Sequence, residues 1–418
     1  GGEVYRLSPV LVDRGARGDD DAGSVVAREI SVGGKVATSI QDTPASVSVV
    51  TQREIELRDA DTVEEVLSYT PGIVTDYYGS DDRNDYFQVR GFQASTYRDG
   101  LTLGTMRGVR EEPWAFERVE ILKGANSTLF GPGEPGGSIN YVSKLPRFEE
   151  FGEVYAQGGS FEHRELGFDF GDTIGADQTL AFRLTGKLQD AEREYAHSRD
   201  DEAFLMGGLT WEPSFDTRIS LVADWLQRDA SPNSGGYPLD REYNRSQFFG
   251  EPGLNRHDVE RATVSLLGEH DFGGGLSLRG TLRYSDLSDD YGYVYLADSA
   301  ARTGTVVNRF QFGSDSSAQE LSGNLIGQYD RDFGAVDSST LLGAEFRDAS
   351  TSSSSFYAAT TGIDVANPVY TGAPAPVAPY LVQDRDYATQ ALFVQQNLSF
   401  FDTIIVTGGV RHDWLDLR

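Results

Sequence analysis

The run Gly131-Pro132-Gly133-Glu134-Pro135-Gly136 meets the spacing G-x-G-x-x-G, by which backbone amides at the start of a helix cradle a pyrophosphate. The chemistry fails on the residues between the glycines. Two prolines remove two of the amides, and the strand-like Ser138–Val142 follows where a helix should open. A tight turn against a neighbouring wall fits these glycines better. Other reactive residue types are no closer to a catalytic arrangement. Asp81, Asp82 and Asp85, like Asp289 and Asp290, lack the spacing and closing glutamate of a calcium loop. The five histidines never fall at H-x-x-x-H or a related spacing, so no metal site is expected. There is no cysteine, which excludes disulfides, thiolate metal sites and thiol nucleophiles. No G-x-S-x-G or other nucleophile constellation is present, and no enzymatic activity is expected.

The distinctive feature is a set of motifs in one order: Tyr69-Thr70-Pro71-Gly72-Ile73, Gln88-Val89-Arg90-Gly91-Phe92, Asp99-Gly100-Leu101, Glu117–Gly124 with its Leu122-Lys123-Gly124 ending, and Leu129–Lys144. Together, across residues 36–145, they resemble the plug domain of TonB-dependent outer-membrane receptors. The last motif, Leu-Phe-Gly-x-Gly-x-Pro-Gly-Gly-x-Ile-Asn, is most similar to the ferric-siderophore branch, and plug length and motif order are similar to the ferrichrome-type (hydroxamate) receptors.

The resemblance implies an α+β plug inside a transmembrane antiparallel β-barrel, and TonB-dependent active transport of a ferric siderophore across the outer membrane of a Gram-negative bacterium. The implied partners are the siderophore, TonB and outer-membrane lipid. No resident cofactor is implied, because iron arrives chelated. Carried over from the hydroxamate receptors, the ligand contacts are Tyr78, Gln93, Met106 and Arg107 on the plug, and Tyr237, Tyr291, Tyr293 and Phe356 on the barrel. At Tyr78 and Met106 this chain departs from the Arg or Tyr usual in the family. Arg90 and Lys123 correspond to basic residues that pair with barrel-wall glutamates and lock the plug. Leu7-Ser8-Pro9-Val10-Leu11-Val12 corresponds loosely to the TonB box, with an ordinary linker as the alternative. The same architecture also serves cobalamin, haem and other chelates, or signals ligand binding through an added domain.

The elements that must position these residues follow from pattern. Residues 1–35 read as a flexible segment rich in glycine and aspartate. Residues 36–148 read as the mixed α/β plug, with Thr51 before Gln52-Arg53-Glu54 and Thr62 before Val63-Glu64-Glu65 as helix N-caps. From 149 to 418 the apolar period becomes two, as in Leu276, Leu278, Leu282 and Tyr284 or Ile219, Leu221, Ala223 and Trp225. Short connections alternate with long polar stretches at 190–201, 228–258, 287–317 and 350–386, the pattern of an outer-membrane barrel. About eleven strands precede Arg418 where such transporters have about 22, so the chain reads as the first half of a barrel. Composition agrees. Mean hydropathy is -0.40, so no helix spans a membrane, while a barrel stays polar on average. A net charge of -29 argues against nucleic acid as a partner.

Overall fold

The computed structural model describes residues 24–31, 35, 38–40, 43, 45–77, 83–104, 109–124, 127–131, 133–233, 235–372, 374–401 and 403–418. Two sheets organise them. The smaller belongs to the plug. Strands β1 (Glu29–Ile30) and β2 (Thr38–Ser39) pair with each other, and β3 (Ser46–Thr51) leads into α1 (Gln52–Arg58) and α2 (Val63–Leu67). The Thr51 hydroxyl accepts from the Glu54 amide at 3.3 Å, and Thr62 with Glu65 forms a complete capping box. After β4 (Ile73–Thr75) and β5 (Phe87–Val89) come β6 (Ala94–Arg98), β7 (Leu101–Thr102), β8 (Phe116–Lys123), the single turn α3 (Ser127–Phe130) and β9 (Gly137–Ser143). The five-stranded sheet has the order β3-β8-β9-β6-β7, with β6 and β9 parallel.

The centre of this sheet is dry. Val119, Ile121 and Ile139 are fully buried, and Phe116 stacks on Tyr141 with ring centroids 4.8 Å apart. Glu120 is also fully buried, which is tolerable only because its carboxylate accepts from Ser31, Arg118 and Asn140. The glycine motif has a steric reason. A Cβ at Gly136 would lie 2.5 Å from the Gln93 carbonyl oxygen, and one at Gly137 2.0 Å from that of Leu122. Of the motif's glycines, Gly131 meets the barrel wall, at the Arg411 guanidinium, while Gly136 and Gly137 admit the plug's own backbone.

The larger sheet runs β10 (Phe151–Gly158), β11 (Arg164–Ile174), β12 (Leu180–Asp190), β13 (Asp200–Ser214), β14 (Thr217–Ala230), β15 (Arg256–Gly273), β16 (Leu276–Ala297), β17 (Val306–Asp332), β18 (Val336–Asp364), β19 (Leu381–Phe400) and β20 (Ile404–Leu417). All eleven are antiparallel and paired in sequence order. Alternation gives the sheet two unlike faces. One exposes Leu188, Leu205, Leu221, Leu266, Leu282, Leu325 and Leu342, the last 63% accessible. The other carries Lys187, Asp224, Arg261, Arg283 and Glu320, all buried beneath the plug. The plug's Val63, Val66, Leu67 and Phe87 share one apolar cluster with Phe204, Met206, Val222, Leu226 and Leu287 of this wall.

Three expectations need correction. Within the segment expected to be flexible, Ile30 is fully buried, and buried Lys35 pairs with Glu345 on the wall. The stretch 287–317 shrinks to a loop at 298–305, and 350–386 to one at 365–380. Their serines and threonines look like loop in sequence, yet Ser350–Ser355 are laddered to β17 on one side and β19 on the other. Backbone pairing outweighs weak side-chain propensity when both neighbours are present. The third correction, at Phe356, belongs to the site.

Candidate ligand-binding site

Register decides what the wall offers above the plug. Tyr291, Tyr293 and Tyr295 alternate on β16, so all three fall on one face. The partners of Tyr293 and Tyr295 on β17 are Phe312 and Phe310, and Phe312 in turn faces Tyr357 on β18. The rings form a continuous chain. Centroids are 5.4 Å apart for Tyr291–Tyr293, 5.3 Å for Tyr293–Tyr295, 6.0 Å for Tyr295–Phe310 and 5.5 Å for Phe310–Tyr357. The Tyr295 and Tyr357 hydroxyls are 3.1 Å apart. His257 abuts Tyr291 edge-on at 5.3 Å.

The plug reaches this wall through Arg83, whose guanidinium carbon lies 5.2 Å from the Tyr291 ring centre and 5.9 Å from that of Tyr293. Behind Arg83 the plug apex is braced by Arg110, which pairs with Glu64 at 2.9 Å and Asp85 at 3.4 Å. The Tyr86 amide donates to Glu64 and the Glu111 amide to Asp85, so the brace holds both apical loops. Burial pushes the Glu64 carboxyl up to about 7, against the pull of Arg110, and also raises Asp85. From above, the 231–255 loop closes in: a Cβ at Gly235 would sit 3.3 Å from the Tyr293 ring.

The residues singled out from sequence divide clearly. Tyr291 and Tyr293 lie at the heart of the wall. Tyr237 stacks on Tyr243 at 6.3 Å in the overlying loop and is 57% exposed. Gln93 takes the Gly136 amide on its carbonyl at 3.0 Å, and no contact among the described residues joins it to the aromatic chain. Phe356 points the wrong way: it is registered opposite Gly313 on the other face, and Tyr357 takes its place in the wall. A position chosen one residue out in a strand changes face. Tyr78, Met106, Arg107 and Leu7–Val12 lie outside the described residues. The Lys123 ammonium donates to the Ser48 hydroxyl at 3.0 Å; partial burial and the nearby Arg90 hold it below its ordinary value. Neither Arg90 nor Lys123 pairs with a carboxylate among the described residues.

The plug–wall ion pairs that are present use other residues. Arg98 meets Asp224 at 2.9 Å, Lys144 meets Asp169 at 2.9 Å, and Lys187 meets Glu112 at 2.7 Å; Glu111 pairs with Arg261. Arg283 adds bonds to the Arg98 and Thr102 carbonyls. Inward charges at period two were visible in the sequence, but their partners lie far along the chain, 150 positions away for Arg261 with Glu111 and 185 for Arg283 with the Arg98 carbonyl. Tyr295, Phe310 and Phe312 had a signal too, since each extends an alternating aromatic pattern; Arg83 and Tyr357 had none.

Family models match both modules: the TonB-dependent receptor plug domain at residues 39–138, and the TonB-dependent receptor-like β-barrel at residues 209–418. The chain belongs to the TonB-dependent receptor family. Its eleven-stranded sheet is therefore outer-membrane barrel wall, with the leucine face toward lipid. Among curated relatives, the ferrioxamine B receptor of Salmonella typhimurium (strain SL1344) is 31% identical over 91% of this chain and 56% of that protein. The ferrichrome outer membrane transporter/phage receptor of Escherichia coli (strain K12) is 27% identical over 94% and 58%. This receptor chain thus spans just over half the length of the curated relatives it matches. In fold it is similar to the ferripyoverdine receptor of Pseudomonas aeruginosa, with TM-score 0.86 and 19% identity over 96% of this chain and 55% of that one. The ferric-catecholate import receptor Fiu of Escherichia coli K12 gives TM-score 0.85 and 19% identity over 94% and 59%.

Proposed function

We propose that the receptor carrying this chain imports a ferric siderophore of the hydroxamate class across the outer membrane, driven by TonB. The observation that carries this reading is the aromatic chain from Tyr291 to Tyr357 facing Arg83 at the plug apex. Hexadentate iron chelates present apolar ligand backbones around a polar metal centre. Stacked rings cover such a surface, and one guanidinium orients it. The hydroxamate class is supported by the two relatives named for ferrioxamine and ferrichrome. Iron enters as cargo inside its chelate, so the protein needs no resident cofactor and makes no covalent bond. Its work is positional: bind outside, open the plug, release inside. The outer membrane offers no ATP, and the proposed Leu7–Val12 strand would connect the plug to TonB by edge-strand addition. Equilibrium titration of the full-length receptor with ferrioxamine B, ferrichrome, a ferric catecholate and cobalamin tests the reading. Tight binding confined to the hydroxamates is expected. Preference for the catecholate or cobalamin would reassign the cargo.

A further inference from the structure

Away from the aromatic wall, a cavity of about 290 Å³ separates the plug from β10, β11 and β12. Its lining is lopsided in charge: Glu56, Asp59, Asp61, Glu112, Glu153 and Glu165 face a single amine, Lys187. That amine is already committed to Glu112 at 2.7 Å and Glu202 at 3.2 Å. At one end Asp61, His163 and Glu165 converge, with one ligand atom from each lying within 4.8 Å of the others. Glu165 is 5% exposed, and its Oε2, like His163 Nε2, is buried without a hydrogen-bond partner. These two atoms are 3.6 Å apart. Two ligands of a tetrahedral ion with bonds of ~2.0–2.2 Å would stand about 3.3–3.6 Å apart.

We propose that Asp61, His163 and Glu165 form a divalent transition-metal site, of the zinc type, that clips the plug to the barrel wall. Asp61 is the plug's contribution, from the turn between α1 and α2. His163 and Glu165 come from the turn and first residues that join β10 to β11. The surroundings hold the two acidic ligands in place. The Tyr155 hydroxyl donates to the other oxygen of Glu165, the role an outer partner plays behind a ligating carboxylate. The Asp61 amide donates to Glu65 at 2.9 Å, and Gln157 of the wall donates to Asp59 at 2.9 Å, drawing the plug turn toward β10. Imidazole with two carboxylates suits zinc and its neighbours rather than calcium, which prefers six to eight oxygens. The site does not depend on which chelate the receptor carries.

The test uses the full-length receptor in detergent, stripped with a chelator and titrated with Zn2+ alone by calorimetry. Cobalt substitution gives an absorption readout of tetrahedral geometry. One equivalent of Zn2+ should bind, and Asp61→Asn and His163→Gln should each weaken it more than ~100-fold, beyond what loss of an outer-shell partner costs. Zn2+ should raise the melting temperature of the wild type and leave that of Asp61→Asn unmoved. Asp61 lies on the plug surface, so that variant tests the clip even if His163→Gln fails to fold. Absence of stoichiometric binding, or Ca2+ binding in preference to Zn2+, would overturn the site. Equal affinity in Asp61→Asn and wild type would overturn the bridge.

Discussion

At the residue scale, the proposed binding at the apex would rest on side chains whose direction is set by strand alternation. Tyr291 is nearly inaccessible, because Tyr293, Phe312, His257 and Arg83 surround it. Replacing Tyr291 and Tyr293 by alanine removes two members of one stacked chain. Ferric hydroxamate affinity should fall by about 1–3 kcal/mol, typical of aromatic anchors at a binding hot spot. Phe356→Ala is the matching control. Its ring lies on the face away from Tyr293, so titration should return wild-type affinity. Loss of affinity in Phe356→Ala with none in the tyrosine pair would reverse the assignment of faces.

At the scale of elements, the plug is held to the wall by charges that neither module could bury alone. Lys187 on β12 is almost fully buried between Glu112 and Glu202. Lys187→Met strands the Glu112 carboxylate in the seam, while Glu202 keeps Arg228 at 3.0 Å, and it should cost about 3–5 kcal/mol, read as faster hydrogen exchange in β8 and β9. The exposed Arg164–Glu162 pair at 3.3 Å sets the contrast: Arg164→Met should cost less than about 1 kcal/mol. The Arg110 brace makes a pH prediction. The folded apex holds the Glu64 proton more tightly than the unfolded chain does, so protection of the braced loops should decline as pH rises from 4.5 to about 7. Asp85 adds a slope of the same sign. In Glu64→Gln the Glu64 share of this slope should vanish in exchange data corrected for intrinsic rates. An unchanged slope would place the titration elsewhere.

At the scale of the whole molecule, a chemically mixed plug packs on one face of the sheet while leucines line the other. Under the proposed function such a wall would separate lipid from a ligand path, and opening that path would require force on the plug. If Leu7–Val12 adds as a strand to TonB, most of the affinity comes from backbone hydrogen bonds. Leu11→Pro deletes one amide donor and fixes φ, so it should abolish iron transport while leaving siderophore affinity at the wild-type value. Radio-iron uptake at the wild-type rate in Leu11→Pro cells would make the segment a simple linker.

The features legible without a structure are the local ones. Helix caps at Thr51 and Thr62 and the period of two beyond residue 150 depend on interactions within a few positions, and the glycines of 131–137 were legible as a motif although their steric reason lies in distant backbone. Together with the resemblance of the ordered motifs between Tyr69 and Lys144 to a receptor plug, they pointed to a plug and a membrane barrel. Strand length in 287–317 and 350–386 was not legible, because polar serines become strand only when two neighbouring strands satisfy their backbone. Nor was the choice of Tyr357 over Phe356, which turns on a register of one residue set by strand pairing. The same holds for Glu111 with Arg261, and for Asp61 with His163 and Glu165. No spacing rule links residues about one hundred or more positions apart, and only the packing of plug against wall brings their charges into one low-dielectric seam where each must find a partner.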